Sequence, residues 1–330
     1  MNLFLVTSPF QYICALEAKA YFKTKNNILF LVNQPQEPGL SQQNKLIDKN
    51  EWDHIVTTER SNRSINVPRA IRKIKKLAAD KPLQHFFYAE YTGWRTKLIL
   101  KNLRIEKEIY FDDGTLTLVD YEQYVKPKIP FHRPRLIQDR IVSLFGCRPI
   151  GYLEQSDRLE VFTIFELTDP VHKVHKNQLT ELKKKYNFPC LYNENAPVGF
   201  IGQGAVGDKY QRSVQEYVSD LTGFIHSQNR PVIYFPHRTE SETVRKAVSQ
   251  IPRLEYHFSE YPLEIELVDK QIKLSALIGL RSTVHFTASL LYKDIKLYCI
   301  STTNESMASR RKERIKILQD ALGRLGVETI

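Results

Sequence analysis

A chain of 330 residues is long enough for two domains of ordinary size, and 42% hydrophobic with 26% charged residues is a globular balance rather than a disordered one. The net charge of +11 admits an anionic substrate, an anionic membrane surface or nucleic acid, but no nucleic-acid module signature accompanies it. No apolar run approaches the ~20 residues that a membrane span needs. Cys14, Cys147, Cys190 and Cys299 lie far apart in apolar contexts. That spacing suits neither a zinc site nor a disulfide framework, so reduced core residues in a cytosolic protein are expected. Met1 leads straight into an apolar stretch with no basic n-region or cleavage site.

Leu3–Val6 reads as a first strand. Thr7-Ser-Pro-Phe-Gln11 turns into a helix over 12–21, with Thr7 or Ser8 as its N-cap and Pro9 in the first turn. Ile28–Val32 is apolar throughout, as a parallel strand buried on both faces should be. His54–Thr58, His85–Tyr88 and Glu108–Phe111 continue the series, with helices around 68–79 and 93–102. The proline-rich, basic segment 124–134 reads as a loop, followed by a helix around 136–145 and a strand at Glu160–Phe165. Residues 171–188 are expected to form a lysine-rich helix and exit, within an interdomain passage spanning 171–195.

The alternation resumes after the passage. Strands are predicted at Val198–Gly202, Pro231–Phe235, Leu254–Phe258, Ala276–Gly279 and Ile295–Ile300, the last of the series. Helices fall at about 210–228 and 240–249, from Pro262, and from Arg281, and a basic amphipathic helix covers 305–324. Strand–helix alternation in both halves argues for an α/β protein of two doubly wound, Rossmann-like parallel-sheet domains facing a cleft. The boundaries that follow are 1–170, 196–305 and a C-terminal basic helix at 306–330.

Open α/β sheets bind ligands beyond the carboxyl ends of their strands. In the second half, four segments fall at such ends or at helix starts. Gly202-Gln203-Gly204 lets backbone come close to a ligand, or is a plain turn. His237 and Arg238 follow the strand Pro231–Phe235 and suit an anion such as phosphate. Glu264 lies in the first turn of a helix, where it meets the helix dipole or accepts hydrogen bonds from ribose hydroxyls. Ser282 and Thr283 open another helix, as a simple N-cap or as a phosphate cradle. Together the four look like a nucleotide site. In the first half, Tyr110-Phe-Asp-Asp-Gly-Thr115 places Asp112 and Asp113 at a strand end. The pair is a candidate general base or a plain Asx turn, and too few further ligands are visible for a metal site.

An Asp-Asp-Gly in the first half paired with a strand–Pro-His in the second resembles bacterial sialyltransferases of the GT-B fold. The nearest resemblance is to the lipooligosaccharide and capsule enzymes of glycosyltransferase family 52. It is carried along most of the chain by Val6-Thr-Ser-Pro-Phe-Gln11, Phe111-Asp-Asp-Gly-Thr115, Phe162-Thr-Ile-Phe165, Tyr234-Phe-Pro-His237, Pro262-Leu-Glu264 and Ser282-Thr283. The family's usual His-Pro reads His237-Arg238 here. The resemblance implies an inverting transfer of sialic acid from CMP-sialic acid to a glycan hydroxyl, with no metal cofactor. It implies that His237 binds the CMP phosphate, Glu264 the ribose, and Ser282 with Thr283 the phosphate. The base would come from Asp112 or Asp113, with Glu166 and Asp169 as alternates. The 1–170 domain would hold the acceptor and base, and 196–305 the CMP-sugar. The implied partners are a nucleotide-sugar donor and a glycan acceptor, with peripheral contact to an anionic inner membrane admitted by the charge, no nucleic acid, and an oligomeric state left open. A UDP-hexose donor on the same fold, or a non-catalytic nucleotide- or glycan-binding protein, are the competing readings.

Overall fold

The computed structural model describes residues 1–37, 39–187, 191–204, 206–207, 213–237, 239–300 and 309–330, the last segment with side chains from 312. The chain divides into two compact units, Met1–Glu181 and Leu182–Ile330.

The first unit runs β1 (Asn2–Val6), α1 (Pro9–Tyr21), β2 (Asn27–Val32), α2 (Gly39–Leu46), β3 (His54–Thr58), α3 (Arg63–Leu77), β4 (Leu83–Tyr88), α4 (Trp94–Asn102) and β5 (Ile105–Phe111). It continues through α5 (Leu116–Asp120), β6 (Phe131–His132), α6 (Leu136–Leu144), β7 (Tyr152–Leu153), β8 (Leu159–Thr163) and β9 (Lys173–Lys176), with α7 (Thr180–Lys185) at the boundary. Seven strands pair in parallel in the order β3-β2-β1-β4-β5-β8-β9. The apolar runs explain this sheet. Side chains alternate across a strand, so a run without polar residues must be covered on both faces. Leu3, Leu5, Phe30, Phe86 and Tyr88 pack into one core, and Phe4, Val6, Leu29, Leu31 and Phe87 into another. Phe4 and Phe87 stack on adjacent strands at 4.1 Å between ring centroids. Each such side chain, fully buried, contributes about 1.5–3 kcal/mol.

Besides the unexpected helices α2 and α5, three parts of this unit differ from expectation. Residues 171–188 supply an edge strand as well as a helix: β9 pairs with β8, its lysines exposed and its Val174 and His175 half-buried. Lysine on an edge strand blocks pairing with another chain, and here it masked the strand in the sequence. The segment 124–134 contains β6, which pairs antiparallel with β7, because Phe131 and His132 are free of the proline that interrupts the ladder around them. Helix α3 starts at Arg63 and runs through Pro68, held by the buried stripe Val67, Ala70, Ile71 and Ile74.

The second unit runs β10 (Val198–Ile201), α8 (Val214–Ser227), β11 (Val232–Phe235), α9 (Glu242–Val248), β12 (Leu254–Tyr256) and α10 (Leu263–Asp269). β13 (Ala276–Gly279), α11 (Thr283–Leu291), β14 (Lys296–Cys299), α12 (Ser309–Arg324) and β15 (Glu328–Thr329) complete it. Six strands pair in parallel in the order β12-β11-β10-β13-β14-β15. Helix α8 begins later than expected, at Val214, where Ser213 and Glu216 form a capping box: Ser213 Oγ accepts from the Glu216 N–H at 3.2 Å, and Glu216 Oε2 from the Ser213 N–H at 2.9 Å. Residues 210–212, the start of the expected helix, lie outside the described residues, as do 208 and 209 before it. Two-residue β15 makes Ile295–Ile300 the penultimate strand, being too short to leave a periodic signal. Cys14, Cys147 and Cys299 are buried and form no disulfide among the described residues, and Cys190 lies outside them.

Glu266 fastens α10 to the loop before it. Its carboxylate accepts from the Glu260 N–H at 2.6 Å, the Tyr261 N–H at 2.7 Å, His257 Nε2 at 2.9 Å and Lys270 Nζ at 3.1 Å. Burial alone would raise its pKa, but these donors hold it down at about 2. A pKa below the ordinary carboxylate value stabilises the fold above that value and loses the effect as pH falls through about 2. Glu266→Gln is therefore expected to lower stability by on the order of 2–3 kcal/mol near neutral pH, with the gap to wild type closing in acid. Urea denaturation of both proteins at a series of pH values checks this. A gap that stays constant down to acid pH would contradict it.

Candidate functional site

Each sheet has its first strand in the middle: β1 lies between β2 and β4, and β10 between β11 and β13. The chain leaves such a strand toward opposite sides, and a crevice opens where the order reverses. In the second unit the carboxyl ends of β11, β10 and β13 stand side by side, so His237, Gly202-Gln203-Gly204 and Ser282 share one edge.

The two glycines are there for space. A Cβ on Gly202 would come within 2.5 Å of the Tyr234 hydroxyl, and one on Gly204 would collide with the His237 ring and Thr239 Oγ1. The β10 loop and the His237 loop thus pack backbone against side chain, which only glycine permits. His237 itself is exposed, with Nδ1 2.8 Å from Thr239 Oγ1 and accepting from the Thr239 N–H at 3.2 Å. An acceptor at Nδ1 places the proton of the neutral ring on Nε2, making that edge a donor. Arg238 lies outside the described residues.

Sequence reasoning missed the brace behind this loop. Glu240, the first residue of the helix expected at 240–249, precedes the actual N-cap Ser241. Its carboxylate accepts from the hydroxyls of Tyr234 and, at 2.7 Å, Tyr256, and its N–H bonds the His237 carbonyl at 2.8 Å. Burial raises its pKa. A Glu following a buried Tyr-bearing strand was the available signal.

Ser282 caps α11, accepting from the Val284 N–H at 3.3 Å, and Thr283 starts the helix half-exposed. Behind them, buried His285 donates Nε2–H to the Tyr298 carbonyl at 3.0 Å and fixes the helix start against β14. Glu264 sits in the first turn of α10 but is only 6% exposed. Its Oε1 accepts from Thr287 Oγ1 of α11 at 3.4 Å, and burial raises its pKa. In this conformation Glu264 joins α10 to α11.

In the first unit the edge at β1 and β4 is a hydrogen-bonded chain. The Gln11 amide accepts from the Thr7 N–H at 2.8 Å and donates to Asp113 Oδ1 at 2.6 Å. Thr7 Oγ1 donates to Glu90 at 2.7 Å, and Arg95 pairs with the other Glu90 oxygen at 3.2 Å. Gln11, a polar residue buried in the first turn of α1, was not singled out from the sequence. The two aspartates separate sharply. Asp112 is 0% exposed, with Oδ1 accepting from Thr163 Oγ1 at 2.5 Å and Oδ2 from the Ile164 N–H at 2.8 Å. It extends the β5–β8 pairing and has no solvent-facing oxygen, so the buried geometry does not fit it for a direct proton transfer. Burial pushes its pKa up to about 7. Asp113 is half-buried, held by Gln11 and by its own N–H to Thr117 Oγ1 at 2.8 Å, and Gly114 follows at φ +66°. Glu166 and Asp169 are both exposed in the segment after β8.

No family model matches the chain, and no curated protein matches it in sequence. Solved structures do. The chain superposes over its whole length on the sialyltransferase of Photobacterium damselae, residues 113–497 corresponding to the GT-B domain, with a TM-score of 0.56, 13% identity and 100% of that chain covered. This is the GT-B fold. The α/β-galactoside α-2,3-sialyltransferase of Photobacterium phosphoreum gives 0.54 at 10% identity over 99% of this chain and 97% of that one. The UDP-GlcNAc 2-epimerase of Neisseria meningitidis, bound to UDP-GlcNAc, gives 0.52 at 12% over 98% and 91%. Identities this low carry the GT-B architecture and leave the chemistry to the residues.

Proposed function

We propose that this GT-B chain is an inverting, metal-independent glycosyltransferase that moves sialic acid from CMP-sialic acid to a hydroxyl of a surface glycan, lipooligosaccharide or capsule, in the cytoplasm. In this reading residues 1–170 hold the acceptor and the base, 196–305 bind the CMP-sugar, and 306–330 form a basic C-terminal helix. The observation that carries it is the edge where the glycine loop, His237 and the Ser282–Thr283 helix start end adjacent parallel strands. Loss of CMP from a sialyl donor leaves an oxocarbenium-like sugar and an anionic leaving group. Donors aimed at that phosphate act mainly in the transition state, each worth about 3–4 kcal/mol. His237 Nε2–H is one, and the hydroxyls and N–H groups opening α11 are others. Asp113 takes the proton of the acceptor hydroxyl as it attacks. Glu264 would meet the ribose only after turning its carboxylate out from Thr287.

A second reading, a UDP-sugar enzyme, is favoured by the match to the UDP-GlcNAc 2-epimerase at a TM-score of 0.52. Thermal shifts with CMP, UDP, GDP and ADP on wild type and His237→Ala separate the two. CMP in hundredfold excess over its Kd is expected to stabilise wild type by about 2.7 kcal/mol, with the effect lost or much reduced in the variant. Stabilisation by UDP alone would replace the sialyl donor, and silence with every nucleotide would overturn the transferase reading.

A further inference from the structure

The outer face of α6 is apolar where it meets solvent. Val142 is buried in the core of the first unit, whereas Leu136, Ile137 and Leu144 are 82%, 72% and 85% exposed. Leu136, Arg140 and Leu144 follow at four-residue spacing, and Ile137 lies three before Arg140, so all four share one stripe. Large aliphatic side chains gathered on one exposed stripe mark a contact surface.

The surroundings of that stripe are cationic. Arg133 and Arg135 lead into α6, and the one acidic residue of the helix, Asp139, is half-buried and accepts from the Arg135 N–H at 3.1 Å. Helix α3 packs against α6 and contains no Asp or Glu. Its exposed face carries Arg69, Arg72, Lys73 and Lys76 at helical spacing. The Arg69 guanidinium lies 5.2 Å from the centre of the Phe145 ring, which joins the basic face to the end of α6.

We propose that the α3–α6 face docks the protein on an anionic lipid bilayer. Aliphatic side chains on a helix lying in the interface enter the acyl boundary, while basic residues beside them meet the phosphates of the headgroups. A second copy of the chain is disfavoured, because apposing this face with itself brings like charges together. The surface shares no residue with the candidate nucleotide site, so the inference stands apart from the transferase reading.

The test is co-sedimentation of the full chain with vesicles of phosphatidylcholine alone or mixed with phosphatidylglycerol, at low and high salt. Binding is expected to require phosphatidylglycerol and to weaken as salt is raised. Leu136→Ser combined with Leu144→Ser alters only exposed side chains and is expected to weaken binding about tenfold or more, with circular dichroism unchanged. Arg69→Gln with Arg72→Gln should weaken it as well. Wild type that ignores anionic vesicles, or an aliphatic variant that binds as wild type does, would overturn the proposal. So would a dimer in analytical ultracentrifugation that the same aliphatic variant dissociates, since the stripe would then belong to a second copy.

Discussion

Asp113→Asn is expected to cut glycosyl transfer by about 10²–10⁴-fold while CMP binding and melting temperature stay at wild-type values. The geometry lets asparagine keep two of the contacts of Asp113. Gln11 takes the Thr7 N–H on its oxygen, so its NH₂ faces Asp113 Oδ1. An asparagine can keep an oxygen toward that NH₂, and the bond from its own N–H to Thr117 is a backbone contact that any residue retains. What disappears is the capacity to accept a proton. Initial rates with CMP-sialic acid and a glycan acceptor, measured beside CMP thermal shifts, decide the point. A variant within a few-fold of wild type would move the base elsewhere, with exposed Glu166 and Asp169 examined next.

Its neighbour should behave in the opposite way. Asp112→Ala is expected to destabilise the first unit by about 2–6 kcal/mol, because it leaves the Thr163 hydroxyl and the Ile164 N–H buried without acceptors at about 1–3 kcal/mol each. Asp112→Asn, which keeps one acceptor oxygen, should lose less. Its pH signature separates this role from catalysis. Burial puts the folded pKa of Asp112 at about 7, above its ordinary 3.8. The fold therefore binds a proton that the unfolded chain releases, and the residue's contribution is most favourable below the ordinary value and fades as pH rises through about 7. Wild type should gain stability over Asp112→Asn between pH 8 and pH 5, as read by urea midpoints. An Asp112→Ala protein as stable as wild type would remove the carboxylate from the structural account.

The split between these aspartates could not be read from Asp-Asp-Gly, since both residues satisfy the same turn and base patterns. Successive side chains of an extended segment point to opposite faces, so one of an adjacent pair goes inward, but which one depends on what β8 offers across the sheet. The parallel strands were legible because apolar runs such as Leu3–Val6 and Ile28–Val32 admit no solvent-facing side, and the two doubly wound sheets followed from their alternation with helices, whereas the GT-B fold was implied only by the family resemblance. Strand β9 was not, because Lys-Val-His-Lys on a sheet edge is dressed in charge. Gln11 and Glu240 were passed over because each is recognisable only by a partner distant in sequence or by a hydroxyl on a buried strand. Gly202 and Gly204 looked like turn residues, and it took the positions of Tyr234 and His237 to show that their lack of a side chain is a packing requirement.

The central place of β1 and β10 also bears on how the chain is made. A ribosome delivers each sheet's middle strand first, and one flank of it stays unpaired until β4, at Leu83–Tyr88, or β13, at Ala276–Gly279, has been synthesised. At roughly 5–20 residues per second, that wait is on the order of 4–16 s for each sheet. During it, Asn-Leu-Phe-Leu-Val and Val-Gly-Phe-Ile each keep one edge without a partner. The nascent polypeptide is thus most vulnerable to aggregation twice, once while each sheet awaits its later strands, and holding chaperones would be most useful at those two moments.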